Sequence, residues 1–136
     1  MGLEIIDQEL LDRTIRQAQT SPRLRMNFNF HSSLNDKCQR MLNALEPGTV
    51  MPVHVHQVDE VYVILQGRLE AQACDEKGNV VERVVLDPKE GRYGVQIPAG
   101  TWHSLEVMEQ GTVIFEVKEG PFIPHEKGGM VEKTAP

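Results

Sequence analysis

Between Asp7 and Ser21 the apolar positions Leu10, Leu11, Ile15 and Ala18 recur at the spacing of a helix with one covered face. Asp7 stands where an N-cap belongs, and Ser21-Pro22 closes the segment. The stretch "DQELLDRTIRQAQTSP" therefore predicts one short helix, packed outside whatever follows. The period then drops to two. In "LRMNFNF", Leu24, Met26, Phe28 and Phe30 alternate with Arg25, Asn27 and Asn29. The alternation resumes in "CQRMLNALEPGT" until Pro47-Gly48 breaks it. It continues through "EVYVILQGRLEAQACDEKGNVVERVVL" and "YGVQIPAGTWHSLEVMEQGTVIFEVKEG". Gly67, Lys77-Gly78-Asn79, Pro98-Ala99-Gly100 and Gln110-Gly111 punctuate these runs as turns. Many short strands at this spacing predict an all-β sandwich or barrel.

Composition narrows the class. The chain has 136 residues, enough for one ordinary domain. We read it as a helical segment over 1–22, a barrel over 23–124 and a tail or strap over 125–136. Hydrophobic residues at 40% and charged residues at 25% suit a chain that buries a core. The net charge of −6 is spread without a basic stripe, so no nucleic-acid partner is expected. The longest clean apolar run, Val61 to Leu65, is too short to cross a bilayer, and no membrane partner is expected. "MGLEIIDQELL" lacks the basic-then-apolar order of a signal peptide, so the expected compartment is the cytoplasm. Cys38 and Cys74 are then expected as reduced thiols without a chemical role.

The stretch "PGTVMPVHVHQVDEVYVILQGRLE" carries the candidate chemistry. On a strand, His54 and His56 point to one face and Val53 and Val55 to the other. "QVD" reads as a bend that returns Glu60 beside the imidazoles. A tight turn at Pro98 to Gly100 aims His103 inward, while Trp102 points away. Three imidazoles and a carboxylate suit a first-row divalent transition metal and leave positions open for water or a ligand. Other side chains are candidates for the surrounding pocket. Tyr62 shares its strand parity with Glu60, and Gln96 precedes the Pro-Ala-Gly turn. His31 ends its strand, either as a pocket acid or base or as a ring bonded to backbone. Arg25 and Arg40 lie in alternating strands, where each either clamps an anionic group or faces solvent. The lysines of "EVKEGPFIPHEK" are further cations, and His125 reads as surface.

The spacing of Gly48, His54, His56, Glu60 and Gly67 resembles the first sequence motif of the cupin superfamily at every position. Pro98, Gly100 and His103 are similar to its second motif, although Gly91 stands one residue early and Val107 occupies the usual Asn position. Over nearly the whole chain, "RMNFNFH", "CQRMLNALEPGT", "IPAGTWHS", "IFEVKEGPF" and the closing "AP" resemble the WbuC-type cupin-fold metalloproteins. Two departures stand out. "KTAP" lacks the family's tryptophan, and Pro52 lies two residues before His54 instead of one.

The resemblance implies a single-domain cupin, a small antiparallel jelly-roll barrel with a short N-terminal helix. It implies one divalent metal per chain, iron, zinc, nickel or manganese, held by His54, His56, Glu60 and His103. It implies a small oxygen-rich ligand, anionic or polyhydroxylated, with a sugar or sugar-nucleotide intermediate of surface-polysaccharide biosynthesis as the leading class. Arg40, Arg25, Tyr62 and Gln96 are the expected substrate contacts, and His31, Arg40 and Tyr62 the catalytic candidates. An isomerase or epimerase, an oxygenase, and a metal-dependent binding or sensing protein without turnover all fit these residues. A homodimer is expected, because short cupins resemble dimers and the strands before the first motif leave edges to cover.

Overall fold

The computed structural model describes residues 2–121, so His125 and the expected tail or strap lie outside the described residues. Asp7 opens helix α1, Gln8–Thr20, by accepting the Leu10 N–H at 3.0 Å. Ser21 caps its other end, and Leu10, Leu11, Thr14, Ile15 and Ala18 form its buried face. The strands that follow are β1 Arg25–Asn29, β2 Cys38–Leu45, β3 Glu60–Gln66, β4 Leu69–Cys74, β5 Val80–Leu86, β6 Gly94–Ile97, β7 Trp102–Val107 and β8 Thr112–Glu119. A single 3-10 turn, Pro88–Glu90, precedes β6.

Two antiparallel sheets face each other. One has the order β1-β2-β8-β3-β6 and the other β5-β4-β7. This is the jelly-roll sandwich expected from the alternation, with α1 on the outside. Leu45, Tyr62, Ile64, Leu69, Leu86, Leu105 and Ile114 fill the space between the sheets. A second cluster lies outside the larger sheet, where α1 packs Leu10, Leu11, Ile15 and Ala18 onto Leu42, Ala44 and Val113. Among the described residues no helix is long and apolar enough to cross a membrane.

That second cluster decides which way the strands face. Beneath α1, Met26 of β1 and Leu42 and Ala44 of β2 point outward, and Arg25, Asn27, Met41 and Asn43 turn toward the interior cavity. Arg40 has the parity of Leu42 and Ala44, so it lies on the outer face. Its guanidinium donates to the Cys38 carbonyl at 2.9 Å and the Phe30 carbonyl at 3.2 Å. The expectation that Arg40 enters the pocket is therefore corrected. Gln96 is corrected for the same reason: it pairs with Val61, and both are exposed on the outer side of β3 and β6.

The segment around His54 and His56 is also less regular than expected. It forms isolated bridges rather than a strand, and the pair His54 and His103 is its main tie to β7. Pro52 has no N–H to give to a ladder, which limits pairing at this point. The inward and outward alternation survives: Val53 is 1% exposed and Val55 7%, opposite the imidazoles. Gly67, between β3 and β4, has φ +87°, and a Cβ there would run into Thr112. Only glycine fits that turn.

Candidate metal centre

Three elements supply the cluster. His54 and His56 come from the connector before β3, Glu60 opens β3, and His103 is the second residue of β7. Backbone bonds fix their approach. His54 N–H donates to the His103 carbonyl at 3.0 Å, and His103 N–H returns to the His54 carbonyl at 2.8 Å. Gly100 N–H donates to the His56 carbonyl at 2.9 Å. Asp59 accepts the Ala99 N–H at 2.8 Å, which pins the Pro-Ala-Gly turn to the bend before Glu60. Gly100 sits in that turn with φ +82°, a conformation that side chains rarely adopt.

The tautomers follow from the hydrogen bonds. His54 Nδ1–H donates to the Pro52 carbonyl at 2.7 Å, and His103 Nδ1–H donates to the Thr101 carbonyl at 2.8 Å. Each ring then carries its lone pair on Nε2. The ligand atoms of His54, His56 and His103 all lie within 4.8 Å of one another. Glu60 stands against two of them, with Oε2 3.5 Å from His56 Nε2 and Oε1 3.5 Å from His103 Nε2. His103 is 2% exposed, and its Nε2 is buried without a hydrogen-bond partner. At 3.5 Å the Glu60 oxygen is in electrostatic reach but does not make that bond.

Electrostatics agrees with the tautomers. Burial, reinforced by the neighbouring His103, pushes His54 down to about 4. Burial and the Lys118 charge do the same to His56, also to about 4. Burial works to raise the Glu60 carboxyl, but the His103 contact and His56 outweigh it and hold it below the usual carboxylate range. Near neutral pH His54 and His56 are thus neutral imidazoles beside a carboxylate. That donor set fits a borderline divalent cation, and the unpartnered His103 nitrogen is the atom such an ion satisfies.

The cluster opens on a cavity of about 300 Å³ between the sheets. Of the expected pocket residues, Arg25, His31 and Tyr62 line it; Arg40 and Gln96 do not. Arg25 directs Nη1 toward Met51 Sδ at 3.3 Å. Both readings of His31 meet in one ring, since it borders the cavity while Nδ1 accepts the Arg40 backbone N–H at 3.0 Å. Tyr62 is 2% exposed, and burial followed by the charge of Glu60 raises its phenol well above the usual value. It is a neutral hydroxyl under all ordinary conditions.

Sequence reading passed over Asn43, Glu116 and Asp59. Asn43 and Glu116 face the cavity and are joined by a 3.0 Å hydrogen bond from Nδ2 to Oε1. Burial, with Glu60 nearby, pushes the Glu116 carboxyl up to about 7. A signal existed in polar residues at inward positions of β2 and β8, but it needed the strand facing to be read.

The family model described as "Domain of unknown function (DUF6016)" matches residues 6–86, more than half of the chain. No curated protein sequence matches. Among solved structures, the chain is similar to the capsular polysaccharide assembling protein CapF from Staphylococcus aureus. The TM-score is 0.68 at 17% identity, over 85% of this chain and 31% of that one. It is similar to an oxalate oxidase in complex with the substrate analogue glycolate, with TM-score 0.60 at 15% identity over 84% of this chain and 57% of that one. It is also similar to a cupin superfamily protein from Desulfitobacterium hafniense, with TM-score 0.55 at 18% identity over 70% and 76%. The fold is a single-domain cupin jelly roll. The chain spans about a third of the length of CapF.

Proposed function

We propose that this chain, which belongs to the DUF6016 family, is a metal-binding cupin that acts on a small oxygen-rich metabolite of the sugar class used in surface polysaccharides. The observation that carries the metal reading is the convergence of three imidazoles, two of which, His54 and His103, have their outer nitrogens tied to backbone carbonyls. The buried His103 Nε2 is left with no hydrogen-bond partner among the described residues. His54, His56 and His103 would hold the ion, with Glu60 as the fourth protein ligand and one ion per chain. A bound ion supplies a Lewis-acidic centre for a ligand oxygen.

The chain's own residues prepare the site for that role. The carbonyls of Pro52 and Thr101 hold the rings in one tautomer and one orientation. Glu60 places negative charge against His56 and His103. Tyr62 offers a neutral hydroxyl on the same inner face, and Lys118 and Arg25 place positive charge at the cavity. The sugar assignment is supported by the likeness to the capsular polysaccharide assembling protein and by the polar lining of the cavity. The WbuC-type kinship, read from the motifs of the chain, supports the same assignment.

The test is elemental analysis of protein isolated under anaerobic conditions. The parent is expected to carry about one transition-metal ion per chain. Folded His54→Ala and His103→Ala proteins are expected to lose at least nine-tenths of it, as removal of a first ligand predicts. Retention of the parent stoichiometry in both variants rejects the site.

A further inference from the structure

Across the inner face of the larger sheet runs a polar band that the metal cluster does not use. Asn27 on β1 is in register with Asn43 on β2. Asn43 reaches diagonally to Glu116 on β8, and Glu116 is in register with Tyr62 on β3. All four border the cavity. The neighbouring row on the same face holds Glu60 opposite Lys118. Same-face rows along a strand are about 6.6 Å apart, a span that one sugar ring bridges. At about 30 Å³ per water, the cavity of about 300 Å³ has room for one such ring.

Asn43 shows what the band lacks. The residue is 8% exposed, and its Oδ1 is buried without a hydrogen-bond partner among the described residues. Its Nδ2 is committed to Glu116 Oε1, which fixes the amide plane and leaves the oxygen as the unused end. A buried acceptor is costly to leave unmet, and such groups in folded proteins generally meet a donor from protein, water or ligand. A carboxylate or phosphate ester has acceptors only and cannot meet it; a hydroxyl can.

We propose that Asn43, oriented by Glu116, forms a second subsite that accepts a hydrogen bond from a ligand hydroxyl, so that the cavity selects a polyhydroxylated ring over a small carboxylate. The inference rests on the reading of this cavity as a metal-dependent small-molecule site and names the ligand class it takes. The Asn43 carbonyl holds one hydroxyl while a second ligand oxygen lies toward the histidine cluster. Glu116 is a positioning residue in this arrangement, since its bond to Nδ2 fixes the amide plane and with it the place of Oδ1.

The experiment is calorimetric titration of the zinc-loaded full chain with neutral hexoses (D-glucose, D-galactose, L-rhamnose and N-acetyl-D-glucosamine) and, separately, with oxalate. At least one hexose is expected to bind saturably and more tightly than oxalate. In the monodeoxy series of that hexose, removal of one particular hydroxyl is expected to weaken binding to the parent at least tenfold. Asn43→Leu should bind the hexose and that deoxy analogue equally, with zinc content unchanged by elemental analysis. Oxalate binding in preference to all hexoses, or no hexose binding, overturns the proposal. So does an Asn43→Leu protein that still discriminates the deoxy analogue as the parent does. If that variant does not fold, the parent's deoxy series decides alone, and a series without one sensitive hydroxyl overturns the proposal. Zinc content in the same samples reads the metal site separately, so loss of hexose selectivity at full zinc occupancy rejects the subsite and leaves the metal reading standing.

Discussion

The imidazoles of His54 and His103 each have two nitrogens with different tasks, and the backbone assigns them. The carbonyls of Pro52 and Thr101 take the Nδ1 protons of His54 and His103, so neither ring can turn or change tautomer without losing a bond. Burial then keeps His54 and His56 neutral down to about 4. The sign for stability follows from proton counting. Between about 4 and the ordinary histidine value near 6.5, the unfolded chain binds more protons than the folded one. The contribution of these two imidazoles to the stability of the metal-free protein is therefore complete above about 6.5 and declines as pH falls toward 4, while Glu116, pushed up to about 7, opposes part of that fall. Glu60 and Glu116 face these rings from β3 and β8, His103 faces them from β7, and Lys118 adds positive charge. The loss is bounded at about 3 kcal/mol per imidazole. Urea unfolding of metal-free protein at pH 7, 5.5 and 4.5 is expected to show a falling midpoint, and His54→Gln is expected to flatten that fall. A midpoint constant over this range would contradict the assigned burial.

At the scale of elements, α1 accounts for both the successes and the failures of reading the sequence. Its own boundaries were legible because Asp7, the apolar spacing and Ser21-Pro22 are local signals. Asp7→Ala is expected to cost about 1 kcal/mol, read as a lower urea midpoint with an unchanged slope, because it removes the acceptor for the Leu10 N–H. The cluster of His54, His56, Glu60 and His103 was legible because turn glycines and metal-ligating residue types occur at fixed spacing. The facing of β1 and β2 was not. An apolar strand face normally marks the interior, but here α1 covers the outside of the sheet, and Leu42 and Ala44 point to it. Arg40 shares their side, so it lies outside the cavity that the family resemblance implied for it. The same inversion hid Asn43, a polar residue on the face that encloses the cavity. Gln96 failed for a related reason: its neighbour on β3 is Val61, an apolar residue on an outer face that α1 does not reach. Such facts belong to the packing of one element on another, and no local pattern carries them.

At the scale of the whole molecule, the cluster sits where the two sheets meet. Glu60 belongs to the larger sheet, His103 to the smaller, and the connector bearing His54 and His56 joins them. An ion bound there ties both sheets at the mouth of the cavity, while the hydrophobic residues between the sheets hold the closed end. The polar band of Asn43 and Glu116 lies on the larger sheet beside the same cavity, so the imidazole cluster and this band border one space.

X-ray absorption at the edge of the ion carried by the parent protein tests the central claim most directly. The account predicts a first shell of nitrogen and oxygen near 2.0–2.2 Å if the ion is zinc, with the outer-shell scattering of three imidazoles. A sulfur shell near 2.3 Å, or a spectrum without imidazole scattering, would place the ion elsewhere and contradict the site.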